Sequence, residues 1–327
     1  MPSIRLVMMG TGTFAEPTFE ALLATEHPVV GLVTQPDRPI GQERGSTRQA
    51  GRGLKALAEE KQIPVYQPES INTPDGVRTL QSLVPDLLVV AAYGQILSKD
   101  VLSVPARGGI NVHASLLPKY RGAAPVAWAI YHGEKETGVT IIKMSVSLDA
   151  GDMLAQEAIE IGADETAGEL EARLAVVGAK LAVRMVNEIA AGTTRGTKQD
   201  ASFVTKAPKL KKEHGLIDWT RHGRDVCNQL RAMQPWPTAY TFWHRAGRPP
   251  FRVLVTKAAW RETDKPAAPG RIQVGNSSRM GVSAGGGSQV EILELQPAGK
   301  RRMAAKEFLH GHQAREGDFF GPEAAVE

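Results

Sequence analysis

Asn111, His113 and Asp149 are the residues whose types could do chemistry together, and they fall in one stretch, Gly109 to Asp152. A side-chain amide can hold an oxyanion, an imidazole can move a proton, and a carboxylate can orient or charge the imidazole. Acyl transfer to an amine requires those three roles. No serine or cysteine is obviously placed as a covalent nucleophile, so direct transfer is the simpler reading. Taken singly the residues are ordinary. An Asn or His at a strand end usually bonds local backbone, and Asp149-Ala-Gly151 alone is a common turn.

The elements that must position them can be read from the pattern. Gly109-Ile-Asn-Val-His113 is a short apolar run, expected as a buried strand ending in polar residues. A loop rich in Pro and Gly follows from Ser115 to Gly122, then a helical segment from about Ala124 to His132. Gly138 to Ile142 is a second strand, and Ser147 to Asp152 a second loop. In an α/β sheet the loops after strand C-termini hold ligands, and the three residues fall on such loops or strand ends.

Asn111-Val-His113-Ala-Ser-Leu-Leu-Pro118, Arg121-Gly-Ala-Ala-Pro125 and Leu148-Asp149-Ala-Gly-Asp-Met153 resemble the signature of the folate-dependent formyltransferases. The resemblance implies that Asn111, His113 and Asp149 are catalytic. It implies that the Ser115-Leu116-Leu117-Pro118 loop contacts 10-formyltetrahydrofolate as formyl donor, and that Tyr93-Gly94 lines the same pocket.

The chain has 327 residues, long enough for two domains. Its single cysteine, Cys227, rules out an internal disulfide and any cysteine-built metal site, and fits a reducing compartment. No signal peptide and no stretch of ~20 apolar residues is found, so a cytoplasmic protein away from membranes is expected. Charge is unevenly shared: residues 1–191 carry 17 Lys and Arg against 22 Asp and Glu, and residues 192–327 carry 22 against 13. An acidic first part and a basic second part suggest chemistry in one and a polyanion in the other, although such asymmetry is common between domains.

Ile4 to Met9 is expected as a buried parallel strand, followed by Gly10-Thr-Gly12-Thr-Phe-Ala15 and a helix to about Thr25. That run fits a dinucleotide fingerprint, but the acid expected after the second strand is replaced by Thr34-Gln-Pro36. NAD is therefore not expected. Gln35 to Gly53 is long for a connection between strand and helix and carries four arginines. The resemblance makes this loop a basic element reaching a tRNA acceptor end, with Arg38 and Arg44 as the residues assigned to it. Strands and helices then alternate as in a doubly wound sheet. Leu170, Leu174, Val177, Leu181, Met185 and Ile189 mark one face of a long amphipathic helix.

From Gly192 the chain loses period, and 192–208 reads as a linker between a catalytic domain, 1–191, and a second domain, 209–327. About five short strands separated by turns suggest a small barrel of the OB-fold type, a natural nucleic-acid binder. Lys209-Leu-Lys-Lys-Glu213, Ile217-Asp-Trp219, Pro235-Trp-Pro237 and Leu295 to Lys300 resemble the second domain of the tRNA-acting branch of the family. On that resemblance Lys209, Lys211, Lys212, Lys300, Arg301 and Arg302 hold tRNA. The reading is an α/β, Rossmann-like formyltransferase domain with a β-barrel appended, a monomer formylating methionine on initiator methionyl-tRNA. Formyl transfer to an amino sugar nucleotide, and an RNA-binding module with a vestigial folate site, remain the alternatives. No metal or ATP motif is present.

Overall fold

The computed structural model describes residues 2–37, 53–265, 267–274 and 279–324. Its contacts divide the chain into two units. The first is Met1–Val126, Lys135–Ile161 and Gly168–Lys209; the second is Ala127–Glu134, Gly162–Ala167 and Leu210–Glu327.

In chain order the first part carries β1 (Leu6–Gly10), α1 (Glu16–Leu23), β2 (Val29–Val33), α2 (Leu54–Glu60), β3 (Val65–Tyr66), α3 (Pro74–Ser82), β4 (Leu87–Ala91), α4 (Lys99–Leu102) and β5 (Gly109–His113). It continues through β6 (Arg121–Gly122), α5 (Pro125–Tyr131), β7 (Glu136–Lys143), β8 (Met153–Glu160), α6 (Ala167–Ala191) and β9 (Lys206–Ala207). A seven-stranded sheet runs in the order β3-β2-β1-β4-β5-β7-β8. Its first five strands are parallel, and β7 and β8 are antiparallel additions. All five residues of β1 and of β4 are buried, as expected for parallel strands covered on both faces. The five parallel strands match the doubly wound reading.

The amphipathic stripe on α6 faces the core: Leu170, Leu174, Leu181 and Met185 are buried. The helix meets the sheet closely at Gly178. A Cβ there would stand 2.6 Å from Val112 Cγ1 and 3.6 Å from Val139 Cγ1. Val112 lies between Asn111 and His113, and side chains alternate along a strand. The helix therefore covers the Val112 face, and the two polar residues point to the other.

The glycine turn after β1 is filled by the protein itself. A Cβ on Gly10 would meet Ala15 Cβ at 2.7 Å and Ala91 O at 2.9 Å. Glu16 stands in the first turn of α1 and accepts from Gly53 N at 3.0 Å. An acid in that turn opposes a pyrophosphate rather than attracting one.

The second unit is a barrel. Its elements are α7 (Gly223–Ala232), β10 (Tyr240–Arg245), β11 (Arg248–Glu262), β12 (Ile272–Val274), β13 (Met280–Ala284), β14 (Ser288–Pro297), β15 (Met303–Ala304), α8 (Ala305–Gly311) and β16 (Phe319–Gly321). The sheet runs β12-β13-β14-β11-β10-β16, every neighbour antiparallel. A bridge from Arg271 to Phe319 links its two ends. The closing strand β16 had no sequence signal: it is three residues long, after a terminal helix. Among the described residues no helix is long and apolar enough to cross a membrane, and no group of acidic, His or Cys side chains could hold a metal ion.

Candidate active site

Asn111 and His113 reach the same side of the sheet at the C-terminal end of β5. His113 is 5% exposed. Its Nε2 lies 2.9 Å from Tyr120 O. A carbonyl can only accept, so Nε2 carries the hydrogen and Nδ1 is left to gain or lose a proton. Asp149 Oδ1 stands 3.7 Å from Nδ1, with both side chains more than nine-tenths buried. The other oxygen, Oδ2, accepts from Gly122 N at 2.8 Å. Gly122 has φ +128°, and a Cβ there would lie 2.5 Å from Ala207 O; only glycine brings this N–H to the carboxylate. The Asn111 amide makes no hydrogen bond among the described residues, so its donor is unspent.

The Ser115–Pro118 loop is fixed from neighbouring strands. His113 is level with Thr140 on β7, and Thr140 with Gln156 on β8, so the three side chains form a row across one face. Thr140 Oγ1 donates to Ser115 O at 2.6 Å and accepts from Leu117 N at 3.1 Å. Gln156 Nε2 donates to Leu117 O and to Thr140 Oγ1, each at 2.9 Å. The Ser115 hydroxyl is buried and donates to Lys119 O at 2.7 Å. Leu117 is buried; Leu116 and Pro118 are partly exposed.

The other sequence-named residues sit as follows. The Tyr93 side chain is 2% exposed in the core cluster with Val7, Met9, Val33 and Val90. Its hydroxyl has no partner among the described residues, and burial pushes its pKa up to about 12. What Tyr93 offers outward is backbone: its carbonyl accepts from Gln35 Nε2 at 3.0 Å. Gly94 follows at φ +83° in open space. Arg38 and Arg44 lie outside the described residues. The residue just before them, Asp37, is tied by Lys55 and Gln67, which hold its carboxyl below the usual range. Lys209, Lys211, Lys212, Lys300, Arg301 and Arg302 are all exposed. Three of them already have acidic partners: Lys211 with Glu213, Arg301 with Glu307, and Arg302 with Glu294.

Comparison with known proteins adds what geometry alone does not. Residues 4–186 match the formyl transferase family model, and residues 209–313 match the formyl transferase C-terminal domain. A methionyl-tRNA formyltransferase of Geobacter sulfurreducens is 44% identical over 328 residues, covering 100% of both chains. That of Bacillus velezensis is 41% identical over 317 residues, covering 97% of this chain and 98% of its own. The chain belongs to the methionyl-tRNA formyltransferase family. Among solved structures, an N-formyltransferase from Helicobacter canadensis, in complex with folinic acid and dTDP-3-aminofucose, has a TM-score of 0.64. It is 18% identical, covering 90% of this chain and 99% of that one, and shows the shared fold.

Several residues around the His113–Asp149 pair carry no motif signal. Tyr120 contributes a carbonyl, Thr140 lies on β7, which pairs with β5, and Gln156 on β8, one strand further out. Gln199 falls in the stretch without period that reads as a linker. That stretch is built onto the first unit: Met153 and Thr197 exchange hydrogen bonds of 2.8 and 2.9 Å, and β9 pairs with β6. Thr205 Oγ1 accepts from Tyr120 N at 2.8 Å.

Proposed function

We propose that the protein transfers the formyl group of 10-formyltetrahydrofolate to the α-amine of methionine esterified on initiator tRNA. The observation that carries this reading is the full-length likeness to methionyl-tRNA formyltransferases together with the buried His113–Asp149 pair beside an unspent Asn111 amide. In the proposed chemistry the amine attacks the formyl carbon, and the Asn111 N–H donates to the oxyanion that develops. His113 takes the proton the amine sheds, and Asp149 holds the resulting imidazolium. The tetrahedral intermediate then collapses with loss of the folate N10, which takes up that proton from the His113 imidazolium as it leaves and returns the imidazole to its neutral form. The set matches a formyl donor: an unspent neutral donor for the carbonyl oxygen, and a buried base for a nitrogen nucleophile.

The loop Ser115–Pro118 is proposed to border the folate, and the exposed cations of the second unit to hold tRNA phosphates. The fold alone would equally suit an amino sugar nucleotide as acceptor. The 41–44% identity over nearly whole chains, against 18% to a sugar enzyme, favours tRNA. The deciding experiment gives the purified protein formyl donor with charged initiator tRNA, free methionine or a UDP-amino sugar. Formylation of the charged tRNA alone is expected; transfer to the sugar in its place refutes the reading.

A further inference from the structure

The amide of Gln199 spends all of its hydrogen-bonding capacity beside the buried pair. Its nitrogen donates to Asp149 O at 2.7 Å and Gly151 O at 2.8 Å. Its oxygen accepts from Arg121 Nε at 3.1 Å and Nη2 at 2.8 Å. Asp149 sits at φ +49°, a left-handed conformation that an ordinary L-residue holds only when its surroundings insist on it. Two carbonyls of that turn converge on one amide, and an amide whose oxygen is drawn by a guanidinium donates more strongly.

We propose that Gln199 is a positioning residue for catalysis: it clamps the Asp149 turn so that the carboxylate stays at His113. The proposal rests on the reading of Asp149 given above. Its geometry is closed on both sides. Arg121 belongs to β6, and the next residue, Gly122, supplies the N–H that fixes Asp149 Oδ2. Gln199 itself is anchored by chain on either side, through the Thr197–Met153 pair and the β6–β9 pair. The carboxylate is thus held through its oxygen by β6 and through its backbone by Gln199. Arg121 ties those two holds together.

The alternative is that Gln199 only cements a surface segment. The two differ in what else its loss changes. Gln199→Leu keeps size and removes all four bonds. Gln199→Glu keeps the Arg121 pairing, but turns a carboxylate oxygen toward the two carbonyls where a donor stood. In steady-state formylation of charged initiator tRNA by the full chain, both variants should lose up to about a hundredfold in kcat, the order that ~1 Å of misplacement costs. KM for both substrates should stay within about threefold, since no binding contact is removed. Gln199→Leu combined with Asp149→Ala should be no slower than Asp149→Ala alone, because groups that act as a unit are not additive. A cement role predicts instead a lower melting temperature with wild-type kcat in the folded fraction. Undiminished kcat in Gln199→Glu, or a multiplicative loss in the double variant, overturns the proposal. Should Gln199→Leu be too unstable to assay, Gln199→Glu carries both comparisons. If Asp149→Ala itself keeps wild-type kcat, the underlying reading of Asp149 fails, a result distinct from failure of the clamp.

Discussion

Asp149 Oδ1 stands 3.7 Å from His113 Nδ1, close enough to pair with an imidazolium and too far for a hydrogen bond. The ring is oriented instead by Nε2–H on Tyr120 O. Tyr120 has φ +62°, and Thr205 Oγ1 accepts from its N–H. The imidazole is thus aimed by backbone, and the carboxylate acts through charge. This division suits the role proposed for His113, a base that becomes charged and returns: orientation does not depend on protonation.

The proposed roles separate kinetically. Asn111→Ala should lower kcat by about 10²–10³, the usual loss for one oxyanion donor, with KM much less affected. Asp149→Asn retains an oxygen for Gly122 N while removing the charge that faces an imidazolium, so it should lower kcat without disturbing folate affinity. Single-turnover rates decide: values within about tenfold of wild type for Asn111→Ala and His113→Ala would remove these residues from the mechanism.

Thr140 tests the donor loop. Its hydroxyl bonds both Ser115 O and Leu117 N, and Thr140→Val keeps the shape and deletes those bonds. Stability should fall by about 1–3 kcal/mol because buried polar groups are left unpaired. Affinity for a folate analogue should fall as the loop loosens. Calorimetry showing weakened stability with unchanged folate affinity would place the pterin away from Ser115–Pro118.

Much of this site was legible in the chain and part was not, for a physical reason. Asn111, His113 and Asp149 end or follow apolar runs, so their places at the strand ends follow from period and motif. Thr140 and Gln156 become neighbours of His113 only through strand register, which a single sequence does not state. Gln199 was hidden differently. The segment around it has no hydrophobic period, because it is held by hydrogen bonds to turns rather than by an apolar face. The barrel shows the same limit: β10 to β14 have alternating patterns and turn residues, whereas β16 is short and is defined by its partners β10 and Arg271.

Gly178 predicts a link between helix packing and the site. A Cβ 2.6 Å from Val112 Cγ1 forces α6 and β5 apart, and overpacking of that kind costs about 1–3 kcal/mol. Gly178→Ala should therefore lower stability and kcat together, since Val112 stands between Asn111 and His113. Adding Val112→Ala makes room, and the double variant should be less destabilised than the sum of the singles. Additive losses in urea unfolding would mean that the two positions do not meet.

Glu171 on α6 predicts a pH dependence of stability. Its Oε1 is buried without a partner among the described residues, and burial raises its pKa from 4.5 to about 7. As pH climbs, the unfolded chain loses this proton first, while the folded chain retains it. The stabilising contribution is full below 4.5 and lost as pH rises through about 7. The loss amounts to at most roughly 3 kcal/mol. Glu171→Gln does not titrate, so its stability relative to wild type should improve between about pH 5 and about pH 8. Parallel wild-type and variant curves of unfolding free energy against pH would contradict the buried carboxyl.

The cations of the second unit give the last prediction. Arg301 and Arg302 each have an acidic partner, Glu307 and Glu294, in the same unit. Both pairs are exposed, so each guanidinium can exchange its carboxylate for a phosphate at little cost. Lys300 has no ion pair among the described residues and is the least compensated of the three. Each phosphate neutralised releases counterions, at a slope of roughly −0.9 in log K against log salt on a duplex. Replacing Lys300 by Gln should weaken binding of every tRNA alike and make that slope shallower by about one contact, because phosphate contacts carry no sequence information. Replacing Glu307 by Gln frees Arg301 and should strengthen binding at low salt, with the gain fading as salt screens it. The measurement is tRNA affinity over a salt series for both variants, with initiator and elongator methionyl-tRNA side by side. A Lys300→Gln variant with the wild-type slope, or a loss confined to the initiator, would take this cluster out of the phosphate-binding surface.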